Sequence, residues 1–212
     1  MSKMSYIVLR KKIEPYNKKI IMEGDKSLSI RWALISSQSF SKCRSSNLLM
    51  SEDVINTLNC LKKLGVKIKL TKNFCEIIGV GLNGFKYKKK LLLNAGNSGT
   101  LGRLIMGLLV HAKNNIKLIG DKSLSKRDFL RVSKPLEKFG AKYFTNFGKL
   151  PIVIKGTNTP LPITYHETRG SAQCKSAVML AALNTKGETI IKAKKSRDHS
   201  ELLFKYLRLP IK

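Results

Sequence analysis

Acidic residues are scarce in this sequence, which has 13 Asp and Glu against 41 Lys and Arg and a formal net charge of +28. Such an excess favours polyanionic partners, nucleic acid among them. Aromatic residues are also few, at 7%, and there is no zinc finger, RRM-type aromatic motif or basic helix with heptads. Because the basic residues are spread along the whole chain, small anionic substrates or a lysine-rich composition explain the charge as well, and nucleic-acid binding is not expected.

Long apolar runs and a secretion signal are lacking as well. The apolar stretch "LIMGLLV" is far shorter than the ~20 residues that span a bilayer. The N-terminus has no continuous apolar segment followed by a small-residue cleavage site. We therefore expect a soluble, cytoplasmic protein without a membrane partner, and at 42% hydrophobic residues the chain can bury a sizeable core.

Cysteine and histidine occur without the spacing of a metal site. The four cysteines are Cys43, Cys60, Cys75 and Cys174. They form no CxxC pair, and no histidine stands at metal-ligand spacing from them. Neither a metal site nor a disulfide framework is expected.

Nucleotide-binding motifs are absent too. "GVGLNG" (79–84) matches GxGxxG, but the segment after it has no helical periodicity, and no acidic residue occurs between Glu76 and Asp121 to bind a ribose. The sequence also has no GxxxxGK[ST] loop. Dinucleotide and ATP sites are therefore excluded.

The sequence does contain a repeat. Strand and helix patterns follow one another in the order βαβαββ, in units of about 18–80, 90–156 and 160–212, the last incomplete. Gly24, Gly96 and Gly170 precede the first helix of each unit, at intervals of 72 and 74. This order predicts an α/β fold built from repeated βαβαββ units.

Each unit has its own predicted elements. In the first unit they are strand 18–24, helix 27–39, strand 42–49, helix 51–66 and strands 67–72 and 75–79. In the second they are strand 90–96, helix 97–113, strand 114–120, helix 125–140 and strands 141–145 and 150–156. In the third they are strand 161–170, helix 171–184, strand 187–193 and helix 196–207.

The second helix of the first unit has the clearest pattern. Its spacing places four apolar residues on one face, namely Val54, Leu58, Leu61 and Leu64. Ser51 is predicted to cap this helix. Gly65 and Gly140 are predicted to end the second helices of the first two units in a left-handed conformation.

Two octapeptides are nearly identical: "GDKSLSIR" (24–31) and "GDKSLSKR" (120–127) differ only at Ile30 and Lys126. The first is predicted to open the first helix of its unit and the second to open a second helix, so they are not equivalent positions of the repeat. Each would add Lys, Ser and Arg side chains to the free N–H groups of a helix N-terminus. Such a set binds phosphate or carboxylate.

Three further helix starts carry similar groups: "GNSGTLGR" (96–103), "GSAQCKS" (170–176) and "SRDHSE" (196–201). Ser, Asp and Gly are ordinary capping residues, so any one start has a purely structural explanation. Five starts in one chain indicate a cleft lined by helix N-termini, built for substrates with several anionic groups.

At these motifs the sequence resembles the family of 5-enolpyruvylshikimate-3-phosphate (EPSP) synthases. The matching stretches are "GDKSLSIR", "NAGNSGTLGRL", "GDKSLSKRDFLRVSKPLEKFGA", "SAQCKSAVMLAAL" and "SRDHSE", in the family's order. The last two are similar to the bacterial class II branch. The resemblance implies two domains, each an inside-out α/β barrel of three βαβαββ units.

The implied reaction is part of the shikimate pathway of aromatic amino-acid biosynthesis. The enolpyruvyl group of phosphoenolpyruvate is transferred to the 5-hydroxyl of shikimate 3-phosphate, and phosphate is released, without a metal or organic cofactor. The resemblance assigns Lys26 and Arg127 to positioning the substrates for catalysis. It assigns shikimate 3-phosphate binding to Lys26, Ser27, Arg31, Ser171, Ala172, Gln173 and Arg197. It assigns the phosphoenolpyruvate pocket to Lys26, Asn97, Gly99, Thr100, Arg103, Arg127 and Gln173.

The resemblance also implies a domain division. Residues 1–20 would belong to the family's other domain, and 21–212 would form the domain of repeats, with the third unit and the second domain truncated. The family's acidic proton-transfer residue lies in that other domain. The chain is therefore expected to be a fragment with little turnover by itself, and a complementary chain would be a natural partner.

Two alternatives stay open. The sister enolpyruvyl transferase that acts on UDP-N-acetylglucosamine has the same architecture, but it carries a reactive cysteine in the loop after the second unit's glycine-rich helix. Residues 111–127 contain no cysteine. The other alternative is a noncatalytic protein that binds polyanions or nucleic acid, which the net charge motivates.

Overall fold

The computed structural model describes residues 7–212, in which helices alternate with short strands. The helices are α1 (Lys26–Ser36), α2 (Glu52–Lys63), α3 (Gly99–Leu108), α4 (Leu130–Glu137), α5 (Ala172–Ala182) and α6 (His199–Tyr206). The strands are β1 (Lys42–Ser46), β2 (Lys67–Leu70), β3 (Phe74–Ile78), β4 (Leu91–Asn94), β5 (Ile116–Ile119), β6 (Lys142–Asn146), β7 (Lys149–Lys155), β8 (Thr164–Glu167) and β9 (Ile190–Ala193). Two short 3₁₀ turns are present at Leu109–His111 and Leu124–Lys126.

The described strands form three sheets, and each sheet lies within one sequence unit. The first has the order β1-β3-β2 and is antiparallel. The second has the order β4-β5-β7-β6, in which β4 and β5 are parallel and the other pairs are antiparallel. In the third, β8 pairs with β9 in parallel, with Thr164 opposite Ile190. Helices α3 and α5 make the crossovers that parallel pairs require.

Helices α3 and α5 pack against each other in the centre of the core. Nine of the ten residues of α3 are buried. The two helices approach so closely that a Cβ on Gly107 would lie 2.1 Å from the Ala177 carbonyl oxygen. The sheets lie outside them, as the alternation of exposed and buried residues along β7 illustrates. Helices inside and sheets outside leave the helix ends at the rim of the core.

Helix α2 confirms most of the pattern predicted for it. Its apolar face is at most 2% exposed at Val54, Leu58, Leu61 and Leu64. Gly65 and Gly140 follow their helices with φ of +90° and +102°, as predicted. Ser51 occupies the N-cap position as predicted, but its hydroxyl makes no capping hydrogen bond.

The predicted strand at 18–24 is also wrong. These residues belong to no strand, and Ile20, Ile21 and Met22 are 67%, 90% and 74% exposed. The equivalent strand β4 of the second unit pairs with β5 over four residues. Segment 18–24 only touches the end of β1, where Asn47 Nδ2 donates to the Met22 carbonyl at 3.4 Å. An apolar pattern gives a strand only where a backbone ladder holds it.

The second octapeptide does not open a helix, so the prediction of a helix at 125–140 was wrong at its start. Residues 124–126 form a 3₁₀ turn, and Arg127 is extended, with φ −79° and ψ 151°. Asp128 Oδ1 then accepts from the Leu130 backbone N–H at 2.8 Å, and α4 begins there. The other predicted elements are present, most of them with shorter bounds, while β3, β6 and β7 have the predicted length and are shifted by one residue. No helix within 7–212 is long and apolar enough to cross a membrane.

Candidate active site

Lys26 is the first residue of α1 and points toward the start of α2. Asp25 caps α1, accepting from the Leu28 N–H at 2.7 Å. Lys26 Nζ lies 3.0 Å from Asp53 Oδ2, and the lysine side chain is 50% exposed. Because half of the side chain remains in solvent, the ammonium group can exchange this carboxylate for an anionic ligand.

Arg103 of α3 is buried and links this helix to α5. It is 6% exposed. Its Nη1 donates to Gln173 Oε1 at 2.8 Å, and its Nη2 donates to the Asp128 carbonyl at 3.2 Å. Gln173 Nε2 donates in turn to Thr100 Oγ1 at 3.0 Å. The amide of Gln173 is thereby fixed with its oxygen occupied and one N–H free to donate to a ligand.

Two guanidinium groups converge over Gly99 at the start of α3. A Cβ on Gly99 would lie 2.8 Å from Arg103 Nη1 and 3.1 Å from Arg127 Nη1. Arg127 is exposed and donates from Nη2 to Asn97 Oδ1 at 3.2 Å. Two cations above the N-terminus of a helix form a site for an anion. A side chain at this position would push against both guanidinium groups.

Arg31 is buried between α1, α5 and α6, at 4% exposure. Its Nε donates to Ser200 Oγ at 2.8 Å, its Nη2 to Ser176 Oγ at 3.2 Å and its Nη1 to the Ser27 carbonyl at 3.1 Å. Burial lowers the pKa of this guanidinium, and the nearby Glu201 carboxylate opposes that shift. Two of the five N–H protons remain for a ligand.

The start of α5 is held by a buried carboxylate. Glu167, 5% exposed, accepts from the Ser171 N–H at 2.7 Å and from the Arg169 N–H at 3.2 Å. Ser171 Oγ caps α5, accepting from the Cys174 N–H at 3.3 Å. Ala172 is the first residue of the helix. These contacts fix the loop that precedes Gln173.

The described residues form no metal-ligating cluster, and two buried cysteines outside the site have weakly acidic thiols. No cluster of three or more metal-ligating side chains exists within residues 7–212. Burial raises the pKa of the Cys60 and Cys75 thiols to about 11, so both stay protonated at neutral pH. A cavity beside residues 47–51 and 70–75 contains none of the predicted site residues.

This cluster of cationic side chains around helix ends can be compared with known proteins. A family model described as EPSP synthase (3-phosphoshikimate 1-carboxyvinyltransferase) matches residues 10–212. The chain belongs to the EPSP synthase family.

Curated relatives and solved structures agree with this assignment to the EPSP synthase family. The 3-phosphoshikimate 1-carboxyvinyltransferases of Bradyrhizobium diazoefficiens and Ruthia magnifica are 40% and 45% identical over 196 and 183 residues, or 91% and 86% of this chain. An EPSP synthase structure from Acinetobacter baumannii has a TM-score of 0.83 at 35% identity and covers 89% of this chain. The chain spans 42% of the length of both relatives and 43% of that structure. The predicted family and α/β fold class are confirmed.

The structure groups the residues assigned from the EPSP synthase resemblance around the first two turns of α5. One group lies where α3 meets Gln173 and comprises Asn97, Gly99, Thr100, Arg103, Arg127 and Gln173. In the other group, Ser27 and Arg31 of α1 meet α5 at Ser176, about one turn after Gln173. Lys26 lies with Asp53, and Arg197 is exposed just before α6. Their roles in binding stay predictions.

Sequence reasoning missed several side chains that hold the EPSP synthase site residues in place. Asp53 was assigned no role in the site, yet it pairs with Lys26. Glu167, Ser200 and Glu201 were not singled out at all. For Ser200 and Glu201 a signal existed, because both belong to the motif "SRDHSE". Glu167 carried none, since only the folded loop brings its carboxylate to the start of α5.

Proposed function

We propose that this chain takes part in the transfer of the enolpyruvyl group from phosphoenolpyruvate to the 5-hydroxyl of shikimate 3-phosphate, with release of phosphate. The family and the names of the relatives support this reaction. Because the chain spans about 42% of those relatives, the proposal concerns one part of their active site. No metal or organic cofactor takes part in it.

The convergence of Arg103 and Arg127 over Gly99 carries the proposal. We assign the phosphate of phosphoenolpyruvate to the start of α3 beside Gln173, with Arg127 as its bidentate partner. Asn97 and Thr100 orient Arg127 and Gln173. The free N–H of Gln173 donates toward the bound anions.

Shikimate 3-phosphate is assigned to the neighbouring group, where α1 and α6 meet Ser176 in the N-terminal part of α5. Arg31 and Ser27 approach it from α1, Ser171 and Ala172 from the start of α5, and Arg197 from the start of α6. Lys26 lies where its ammonium group can reach both substrates once it leaves Asp53. Lys26 and Arg127 are the groups we propose to position the reacting anions.

The proposed role of these residues is electrostatic. The two substrates repel each other, and fixed cations and helix N-termini offset that repulsion in a preorganised site. Arg31 and Arg103 are already desolvated and hydrogen-bonded, so little reorganisation accompanies binding. No acidic residue described here is proposed for proton transfer, which we assign to the rest of the enzyme.

We further propose the domain division stated above, with 21–212 as one domain of repeats and 1–20 as part of another. Residues 1–6 of that segment lie outside the described residues. Residues 7–22 include strongly exposed apolar side chains, such as Ile7 and Leu9 at 90% and 91%. Such exposure supports burial of this segment against a further domain or a complementary chain.

Calorimetric titration of the 212-residue chain with shikimate 3-phosphate at physiological salt tests the function. We expect saturable binding that inorganic phosphate does not reproduce. Lys26→Ala should weaken it at least about tenfold, as loss of a charged hydrogen bond to the ligand would. Lys122→Ala, at the equivalent position of the second octapeptide, is the matched control and should bind as the wild type does.

Two results would oppose the proposal. One is the absence of any shikimate 3-phosphate binding by a folded chain. The other is tight binding of duplex DNA that falls steeply with salt and does not depend on Lys26, which would indicate a noncatalytic polyanion binder.

A further inference from the structure

Helix α6 follows Arg197 directly, yet little apolar burial holds it in place. It is eight residues long, and its buried residues are Ser200 and Phe204. Asp198, at its N-cap, makes no side-chain capping hydrogen bond. A helix of this length is not stable in water by itself. Polar contacts must therefore fix its N-terminal end.

Two consecutive residues of α6 meet two consecutive residues of α5. Ser200 Oγ lies 2.6 Å from Ser176 Oγ, and the hydroxyl of Ser200 also accepts from Arg31 Nε at 2.8 Å. The next pair is ionic, because Glu201 Oε1 contacts Lys175 Nζ. Lys175 is 9% exposed, so this ion pair is largely shielded from solvent.

Glu201 compensates more than one cation. Lys175 and Arg31 are both buried, and the carboxylate of Glu201 acts on each, since it also opposes the lowering of the Arg31 pKa by burial. Glu201 Oε2 is buried and has no hydrogen-bond partner among residues 7–212. A buried cation that loses its partner is strongly destabilised. The local fold of α6 thus depends on one carboxylate.

We propose that Lys175 and Glu201 are a positioning pair that holds Arg197 at the shikimate phosphate site, so that the motifs "SAQCKS" and "SRDHSE" act as one structural element. The identity of the ligand rests on the proposed function, whereas the coupling of α6 to α5 does not. Neither residue touches the ligand. The anion site at Gly99 has its own contacts, Arg103 to Gln173 and Arg127 to Asn97, and neither involves the pair.

Glu201→Gln tests the pair, because it keeps the size of the side chain and removes its charge. Hydrogen exchange of the α6 amides should accelerate, while that of the α3 amides stays unchanged. The affinity for shikimate 3-phosphate should fall at least about tenfold, the scale expected when a charged hydrogen bond to the ligand is lost. The charge exchange Lys175→Glu/Glu201→Lys should recover part of both losses, because the ion pair re-forms while Arg31 loses the carboxylate at position 201. Lys175→Met serves as a milder variant if Glu201→Gln does not fold, with the same changes expected.

Tyr143→Phe is the matched control. It removes the buried hydrogen bond, 3.0 Å long, that the Tyr143 hydroxyl donates to the Met106 carbonyl of α3. This bond does not involve α6. It should lower the thermal midpoint without changing α6 exchange or ligand affinity. The proposal is overturned if Glu201→Gln leaves α6 exchange and affinity at wild-type values, or if the charge exchange recovers neither. A wild type that binds no shikimate 3-phosphate contradicts the proposed function, and the exchange measurement then decides the pairing alone.

Discussion

The octapeptides at 24–31 and 120–127 begin in the same way and end differently. In both, an aspartate caps the turn: Asp25 Oδ1 accepts from Leu28 N–H at 2.7 Å, and Asp121 Oδ1 accepts from Leu124 N–H at 2.6 Å. The first continues as the 11-residue helix α1. The second stops after a three-residue 3₁₀ turn. The seven shared residues therefore determine how the turn starts, but they do not determine how long the helical segment becomes.

The length depends on what the following residues can bury. Ile30 is fully buried, and α1 continues through further buried residues to its end. In the second octapeptide Lys126 is exposed, and the chain turns at Asp128, whose Oδ1 accepts from the Leu130 N–H at the start of α4. The two arginines differ accordingly. Arg31 is built into a helix interface, whereas Arg127 is exposed and reaches over the anion site.

Exchanging the one residue that differs between the octapeptides should have the largest effect on the free energy of unfolding. Ile30→Lys places an ammonium group in a fully buried position and should cost about 4 kcal/mol or more. That is a large part of the stability of an ordinary domain. Lys126→Ile, on the surface, should change the free energy of unfolding by less than about 0.5 kcal/mol. Urea unfolding followed by Trp32 fluorescence measures both, and equal effects would contradict the comparison.

Replacing the two arginines should give the next largest difference. We expect loss of stability for Arg31 and loss of ligand binding for Arg127. Arg31→Ala removes a buried cation with three hydrogen bonds and leaves Ser200 and Ser176 without that partner, at a cost of about 3 kcal/mol. Arg127→Ala should leave the thermal midpoint unchanged and weaken binding of phosphoenolpyruvate. Paired calorimetry and thermal unfolding separate the two outcomes. A stable Arg31→Ala chain beside an unstable Arg127→Ala chain would show that the burial of the two side chains does not set their roles.

The sequence predicted what local pattern controls and failed where a distant partner decides. Helix α2 followed from the spacing of Val54 to Leu64, because an apolar face needs only a core to pack on. The strand predicted at 18–24 is absent. Its formation depends on pairing with β1, and the apolar pattern of residues 18–24 does not determine that pairing. Within the candidate site, the motifs located the helix starts. They could not reveal that Arg103 holds Gln173, 70 residues away, since that contact exists only in the folded chain.

The smallest predicted effect concerns what the octapeptides share. Asp25→Ala removes the cap of an 11-residue helix and should cost about 1 kcal/mol. Asp121→Ala should cost less, because backbone contacts that survive the substitution also hold its turn: Asp121 N–H donates to the Gly96 carbonyl at 2.8 Å, and Ser125 N–H donates to the Asp121 carbonyl at 2.9 Å. Asparagine at either position keeps a capping oxygen and should restore most of the loss, which separates the hydrogen bond from the effect of charge. If Asp121→Ala proved the more costly in urea unfolding, the 3₁₀ turn would depend on its cap more than the long helix does, and the backbone contacts to Gly96 and Ser125 would not be what holds it.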